Sequence, residues 1–202
     1  MGFQVVCLSA VDGSGGEQIA PLLAERLGYR MVNEEIVAIA AGQAELELSL
    51  VADVERRKSM VDRILERLGT SAAASSAMGA YMATPAFDGT LSEAALRKLI
   101  RSTIEQIAEQ GKVVIVAHAA SYALRERRDT LRVFLTASPE TRTERLSADT
   151  KALAKLDANR ADYLKRFYDV GAEQSHDYDL VLNTDRLAPS VAAEIISGLA
   201  TA

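Results

Sequence analysis

Residues 3–28 hold the pattern that most restricts the folds open to this chain. Phe3-Gln4-Val5-Val6-Cys7-Leu8-Ser9 is a short apolar run with β-branched residues, and it stops at Asp12-Gly13-Ser14-Gly15-Gly16. Apolar residues then recur at Ile19, Leu22, Leu23 and Leu27, the spacing of one helix face, and Gly28 ends the run. The order is strand, glycine loop, helix. Such a loop can present several backbone N–H groups to an anion, and the helix N-terminus adds its dipole. The alternative is a plain strand-to-helix turn. Placement after the first strand, and Gly13, Gly15 and Gly16 within four residues, favour phosphate binding. The loop does not match G-x-x-x-x-G-K-[ST]. Ala10 stands at the first glycine, Gly16 at the lysine and Glu17 at the Ser/Thr.

The rest of the chain repeats the alternation. Further strands are predicted at 29–32, 113–117, 131–136 and 180–183. Asn33 is placed to cap a helix through Ala41. Ser92 with Glu93 opens a helix carrying Leu96, Leu99, Ile100, Ile104 and Ile107, which Gly111 ends. Ser138 and Pro139 are the cap and first residue of another. Long helices are predicted at about 150–169 and 188–200. Strands separated by helices predict an α/β fold, a parallel sheet covered on both faces. Residues 44–70 read as helical, and 71–90 are small and low in complexity. The reading is therefore one domain over 1–202, with a helical insertion at about 44–90 that includes a mobile part.

Charge and composition narrow the function classes. The net charge of -5 gives no global basic field for a nucleic-acid backbone, so no nucleic-acid partner is expected. It is unevenly spread: residues 1–118 carry a net of -4, 119–170 a net of +3 and 171–202 a net of -4. A basic segment inside an acidic chain can face an anionic ligand, or can be a helix face laced with i,i+4 pairs. The single Cys excludes an internal disulfide and any multi-Cys zinc site. No apolar run is long enough to span a bilayer, which gives the expectation of a cytoplasmic protein with no membrane partner. No paired acid/base motif, metal-ligand cluster or G-x-S-x-G elbow supports hydrolase chemistry. Oligomeric state is not legible.

Three stretches together resemble the cytidylate-kinase-like family, relatives of the P-loop nucleoside monophosphate kinases. Ser9-Ala10-Val11-Asp12-Gly13-Ser14-Gly15-Gly16 is similar to that family's S-x-x-x-G-S-G-G loop. Arg132 to Arg145, containing Phe134-Leu135-Thr136-Ala137-Ser138, is similar to the strand and helix leading into the kinase lid. Asp157-Ala158-Asn159-Arg160, Tyr163, Phe167-Tyr168 and Asp177-Tyr178-Asp179-Leu180-Val181-Leu182-Asn183 follow its lid and last-strand pattern.

The resemblance implies a P-loop kinase-like three-layer sandwich with a five-stranded parallel sheet. Its spatial order would be second, third, first, fourth, fifth strand, with a lid-like helical region at about 146–175. It implies phosphoryl transfer from ATP, with Mg2+, to a nucleotide such as CMP, so the expected partner is a small-molecule nucleotide. Phosphate-binding cations are the main chemical need of that reaction. Arg160, Arg142 and Arg145 are the candidates, and the cofactor would lie on Asp12, Gly13, Ser14, Gly15, Gly16 and Glu17. The alternative for each arginine is a surface ion pair.

The departures from the family fall where the chemistry lies. Glu17 stands where a basic residue is common, and would repel triphosphate unless it holds the Mg2+. The family's Gly-Arg and nearby Asp after the third strand are here Ala117-His118-Ala119-Ala120-Ser121. His118 and Ser121 would therefore meet the acceptor with no fixed charge. These departures leave two rival readings: a catalytically weak or inactive nucleotide-sensing or interaction protein on the same fold, and a kinase for another small acceptor.

Overall fold

The computed structural model describes residues 2–33, 93–117 and 120–202. Met1–Asn33 and Ile104–Ala202 form one compact unit, and Glu34–Thr103 a second. The predicted insertion at 44–90, the helix capped by Asn33, and His118 lie outside the described residues.

Five strands build the first unit: β1 (Val5–Ala10), β2 (Arg30–Asn33), β3 (Val113–Val116), β4 (Thr130–Thr136) and β5 (Leu180–Asn183). All pairings are parallel, and the order is β2-β3-β1-β4-β5, the order expected from the resemblance. A central parallel strand is covered on both faces and needs apolar residues at successive positions. Val5, Val6, Cys7 and Leu8 of β1 accordingly have no exposed surface.

The described helices are α1 (Gly16–Leu27), α2 (Glu93–Glu109), α3 (Ala120–Ala123), α4 (Pro139–Leu146), α5 (Thr150–Tyr168) and α6 (Pro189–Thr201). Ile19, Ala20, Leu23 and Ala24 of α1 and Ala192, Ala193, Ile196 and Ala200 of α6 share one core with Val6, Leu8, Val114, Leu131, Val133 and Leu135. The alanines of α6 let it lie close to α1 and the sheet. Among the described residues no helix is long and apolar enough to cross a membrane.

Local chemistry sets most helix ends. Gly28 takes the left-handed conformation (φ 62°) and returns its N–H to the last turn of α1. Ser138 Oγ accepts from Thr141 N at the start of α4, with Pro139 at the first helical position. Asp149, a cap the sequence reading did not single out, accepts from Ala152 N at 2.7 Å and starts α5. Asn33 is the last residue of β2.

Candidate functional site

The glycine loop sits where β1 delivers it, at the carboxyl end of the central strand, the usual ligand-facing edge of an open α/β sheet. Gly13 (φ 80°) and Gly15 (φ 85°) adopt left-handed backbone that favours glycine. A Cβ on Gly13 would also stand 2.9 Å from the Arg142 backbone. Ser14 N–H closes a turn on Val11 O at 3.0 Å, so it is turned inward and is not one of the donors expected to face an anion. The N–H groups of Gly13, Gly15, Gly16 and Glu17 make no main-chain hydrogen bond among the described residues. Three donors at the start of α1 and one in the loop before it are thus left for a ligand or solvent. Ser14 Oγ is buried and has no partner among the described residues.

The three predicted arginines all reach this loop, by different routes. Arg142 is buried; its Nε donates to Asp12 O at 2.6 Å and its fork donates to Asp157 at 3.1 and 2.5 Å. Arg160 is buried as well. It donates to Ala10 O at 2.9 Å, to Ser9 Oγ at 2.8 Å and to Glu173 at 2.6 and 2.8 Å. Its guanidinium lies over Phe134, which stacks on Tyr178, and Tyr178 Oη donates to Glu173. Burial, reinforced by the Glu173 charge, pushes the Tyr178 hydroxyl up to about 12. Both arginines therefore hold main-chain carbonyls, Arg160 at the end of β1 and Arg142 in the loop, each with its charge met by a carboxylate.

Arg145 is exposed. Its Nη1 donates to Gly13 O at 3.2 Å and Thr184 Oγ1 at 3.0 Å, and its Nη2 to Thr184 O at 2.8 Å. It lines a cleft of about 380 Å³ with Ser14, Gly15, Gln18, Thr184 and Arg186. Neither Arg145 nor Arg186 has a carboxylate partner among the described residues. Asp185, in the same cleft, accepts from Ser138 N at 2.8 Å, and that bond holds its carboxyl below the usual range.

Asp12 and Glu17 differ in setting. Burial raises the Asp12 carboxyl above its ordinary value, against the pull of Arg160 and Arg142. Glu17 is exposed in the first turn of α1, where the helix dipole also favours a carboxylate. Among the described residues no three His, Cys, Asp or Glu side chains are grouped to hold a metal ion. Magnesium on nucleotide phosphates needs only one or two protein carboxylates, and Asp12 and Glu17 are the two carried by this loop and the first turn of α1.

Ser121 lies in α3, which packs on β1; its Oγ is buried without a partner among the described residues. Thr184, which the sequence reading missed, is buried and donates from Oγ1 to Ser14 O at 2.7 Å while accepting from Arg145. Glu173 was missed too, and Asp157 was read only as part of the lid-like run Asp157-Ala158-Asn159-Arg160; nothing local tells which arginine each meets.

No curated protein matches the chain. Solved structures match nearly its whole length at low identity. An uncharacterized protein from Eubacterium ventriosum has TM-score 0.62 at 19% identity, covering 95% of this chain and 94% of that one. Shikimate kinase from Bacteroides thetaiotaomicron has TM-score 0.54 at 15% identity, covering 96% and 97%. A sugar kinase from Janibacter has TM-score 0.53 at 16% identity, covering 98% and 94%. These likenesses show the P-loop kinase-like fold. The family model described as cytidylate kinase-like matches residues 5–186, the span that holds the sheet, the glycine loop and all three arginines, and the chain belongs to that family.

Proposed function

We propose that this protein is a P-loop kinase that binds ATP at the glycine loop and transfers phosphate to a nucleoside monophosphate such as CMP. The observation that carries the reading is the loop itself. Among the described residues, the main-chain N–H groups of Gly13 in the loop and of Gly15, Gly16 and Glu17 at the start of α1 lack main-chain partners, and the adjoining cleft holds Arg145 and Arg186 without carboxylate partners. Main-chain donors plus uncompensated guanidinium groups are what an anionic phosphate chain requires.

ATP with Mg2+ supplies the transferable phosphoryl group and the neutralising metal. This chain's residues bind and orient. Gly13, Gly15, Gly16 and Glu17 donate from the main chain, Arg145 places positive charge over the loop, and Glu17 is the carboxylate for Mg2+. Arg142 and Arg160 hold the main-chain carbonyls of Asp12 and Ala10. Ser121 and His118 are assigned to the acceptor side, and the lid-like region at 146–175 is to close over the phosphates. The protein is read as one domain acting in the cytoplasm on small nucleotides.

Calorimetric titration of ATP with and without Mg2+ tests the binding step. ATP consumption with CMP, dCMP, UMP and AMP in turn tests the transfer and names the acceptor. Absence of ATP binding at millimolar concentration with Mg2+ would sink the reading. A second reading, nucleotide binding without efficient transfer, is favoured by one observation: Arg142 and Arg160 already meet Asp157 and Glu173. Tight ATP binding with no acceptor-dependent consumption would select it.

A further inference from the structure

We infer that Ala10 and Gly16 form a steric pair that bars a side chain from the loop's lysine position, and that Arg145 supplies the phosphate-binding cation in its place. The second half rests on the proposed nucleotide site; the first does not.

A Cβ built on Gly16 would stand 2.6 Å from Ala10 Cβ. That atom cannot swing away. Ala10 pairs with Leu135 in the sheet register, and its carbonyl is held by Arg160 Nη1 at 2.9 Å. Gly16 differs from Gly13 and Gly15, which are glycine because φ is positive. Gly16 begins α1 without a positive φ, so contact with the Ala10 methyl is what excludes a side chain there. The usual pattern G-x-x-x-x-G-K has its bare residue first and its side chain last. Here the two are exchanged: the methyl is at 10 and the bare residue at 16. Losing the lysine is therefore a property of two positions, and restoring it needs both.

The cation must then come from another element. Arg145 Nη1 lies 3.7 Å from where a Cβ on Gly15 would be, at the mouth of the same turn. Three of its N–H groups go to Gly13 O, Thr184 Oγ1 and Thr184 O. A guanidinium carries five, so two remain to meet an anion. Thr184 and Gly13 fix the group in place without neutralising it.

The steric half is tested by thermal melts of Gly16→Ala in wild type and in an Ala10→Gly background. The expected result is a large drop in the first and a small one in the second. Equal drops in both, or no drop in wild type, overturn the pair. The cation half is tested by ATP titration with Mg2+. Arg145→Gln is expected to weaken binding at least about tenfold in wild type, the cost of one charge-assisted contact. Arg145→Lys should keep most of the affinity. With Ala10→Gly and Gly16→Lys combined, the run from 10 to 16 matches G-x-x-x-x-G-K, and adding Arg145→Gln should then cost no more than about threefold. The same loss in both backgrounds would mean that Arg145 acts only as a brace for the loop, and overturns the assignment. If neither background binds ATP, the nucleotide reading and the cation assignment fall together, and the melts still decide the steric pair.

Discussion

Glu173→Ala is expected to be the most damaging single change near the site, although Glu173 does not line the cleft that holds Arg145. The Arg160 side chain is only 5% exposed and the Glu173 side chain 12%. Glu173 accepts two hydrogen bonds from Arg160 and one from Tyr178. Removing the carboxylate leaves a guanidinium charged, buried and held against Ala10 O and Ser9 Oγ. Breaking a buried pair from one side typically costs about 3–5 kcal/mol. For a chain of this length that is a fall in Tm of about 6–20 °C. Circular dichroism melts of wild type, Glu173→Ala and Glu173→Gln measure it, and Glu173→Gln, which keeps an acceptor, should lose less. Arg160→Met with Glu173→Leu should cost less than Glu173→Ala alone, because the buried guanidinium is removed together with its carboxylate. A Glu173→Ala melt within about 2 °C of wild type would refute the reasoning. It would show Arg160 to be solvated and free to turn toward a phosphate.

Asp12→Asn is expected to melt higher than wild type at pH 7. Burial raises the Asp12 carboxyl above 3.8 in the folded chain, so its contribution is fully present below 3.8 and is lost as pH rises through the raised value. The gap between the two proteins should therefore close in acid, and a gap that widens below 3.8 would contradict this. Thr184→Val keeps the shape but leaves Ser14 O and Arg145 short of partners, at a cost of about 1–3 kcal/mol and with weaker ATP binding. Urea unfolding and calorimetry check the two effects. Gly15→Val should lower stability as well as binding, because a β-branched residue at φ 85° is strained by at least about 1–2 kcal/mol; an unchanged melt would refute it. Ser138→Ala removes the cap of α4 and should cost about 1 kcal/mol, with ATP affinity nearly unchanged.

What could be read from the sequence was whatever neighbours in the chain decide. Val5 to Leu8 is an apolar run because β1 is buried on both faces, and Ser138-Pro139 starts a helix by satisfying its own first turn. The loop's place after the first strand was legible for the same reason, and the family pattern supplied the strand order. The roles of the arginines were not. Arg142, Arg145 and Arg160 are all basic residues on charged helices, and each could be a phosphate ligand or an ion-pair partner. Only the fold brings Glu173 and Asp157 against two of them and leaves the third beside Thr184. Asp12 O and Arg142 are 130 positions apart, and Ser9 and Arg160 are 151 apart. Gly16 makes the same point at short range: its letter suggests conformational freedom, whereas its backbone needs none. Burial and pairing decide whether a charge is available or a glycine is required, and both depend on which distant segments the sheet order brings together.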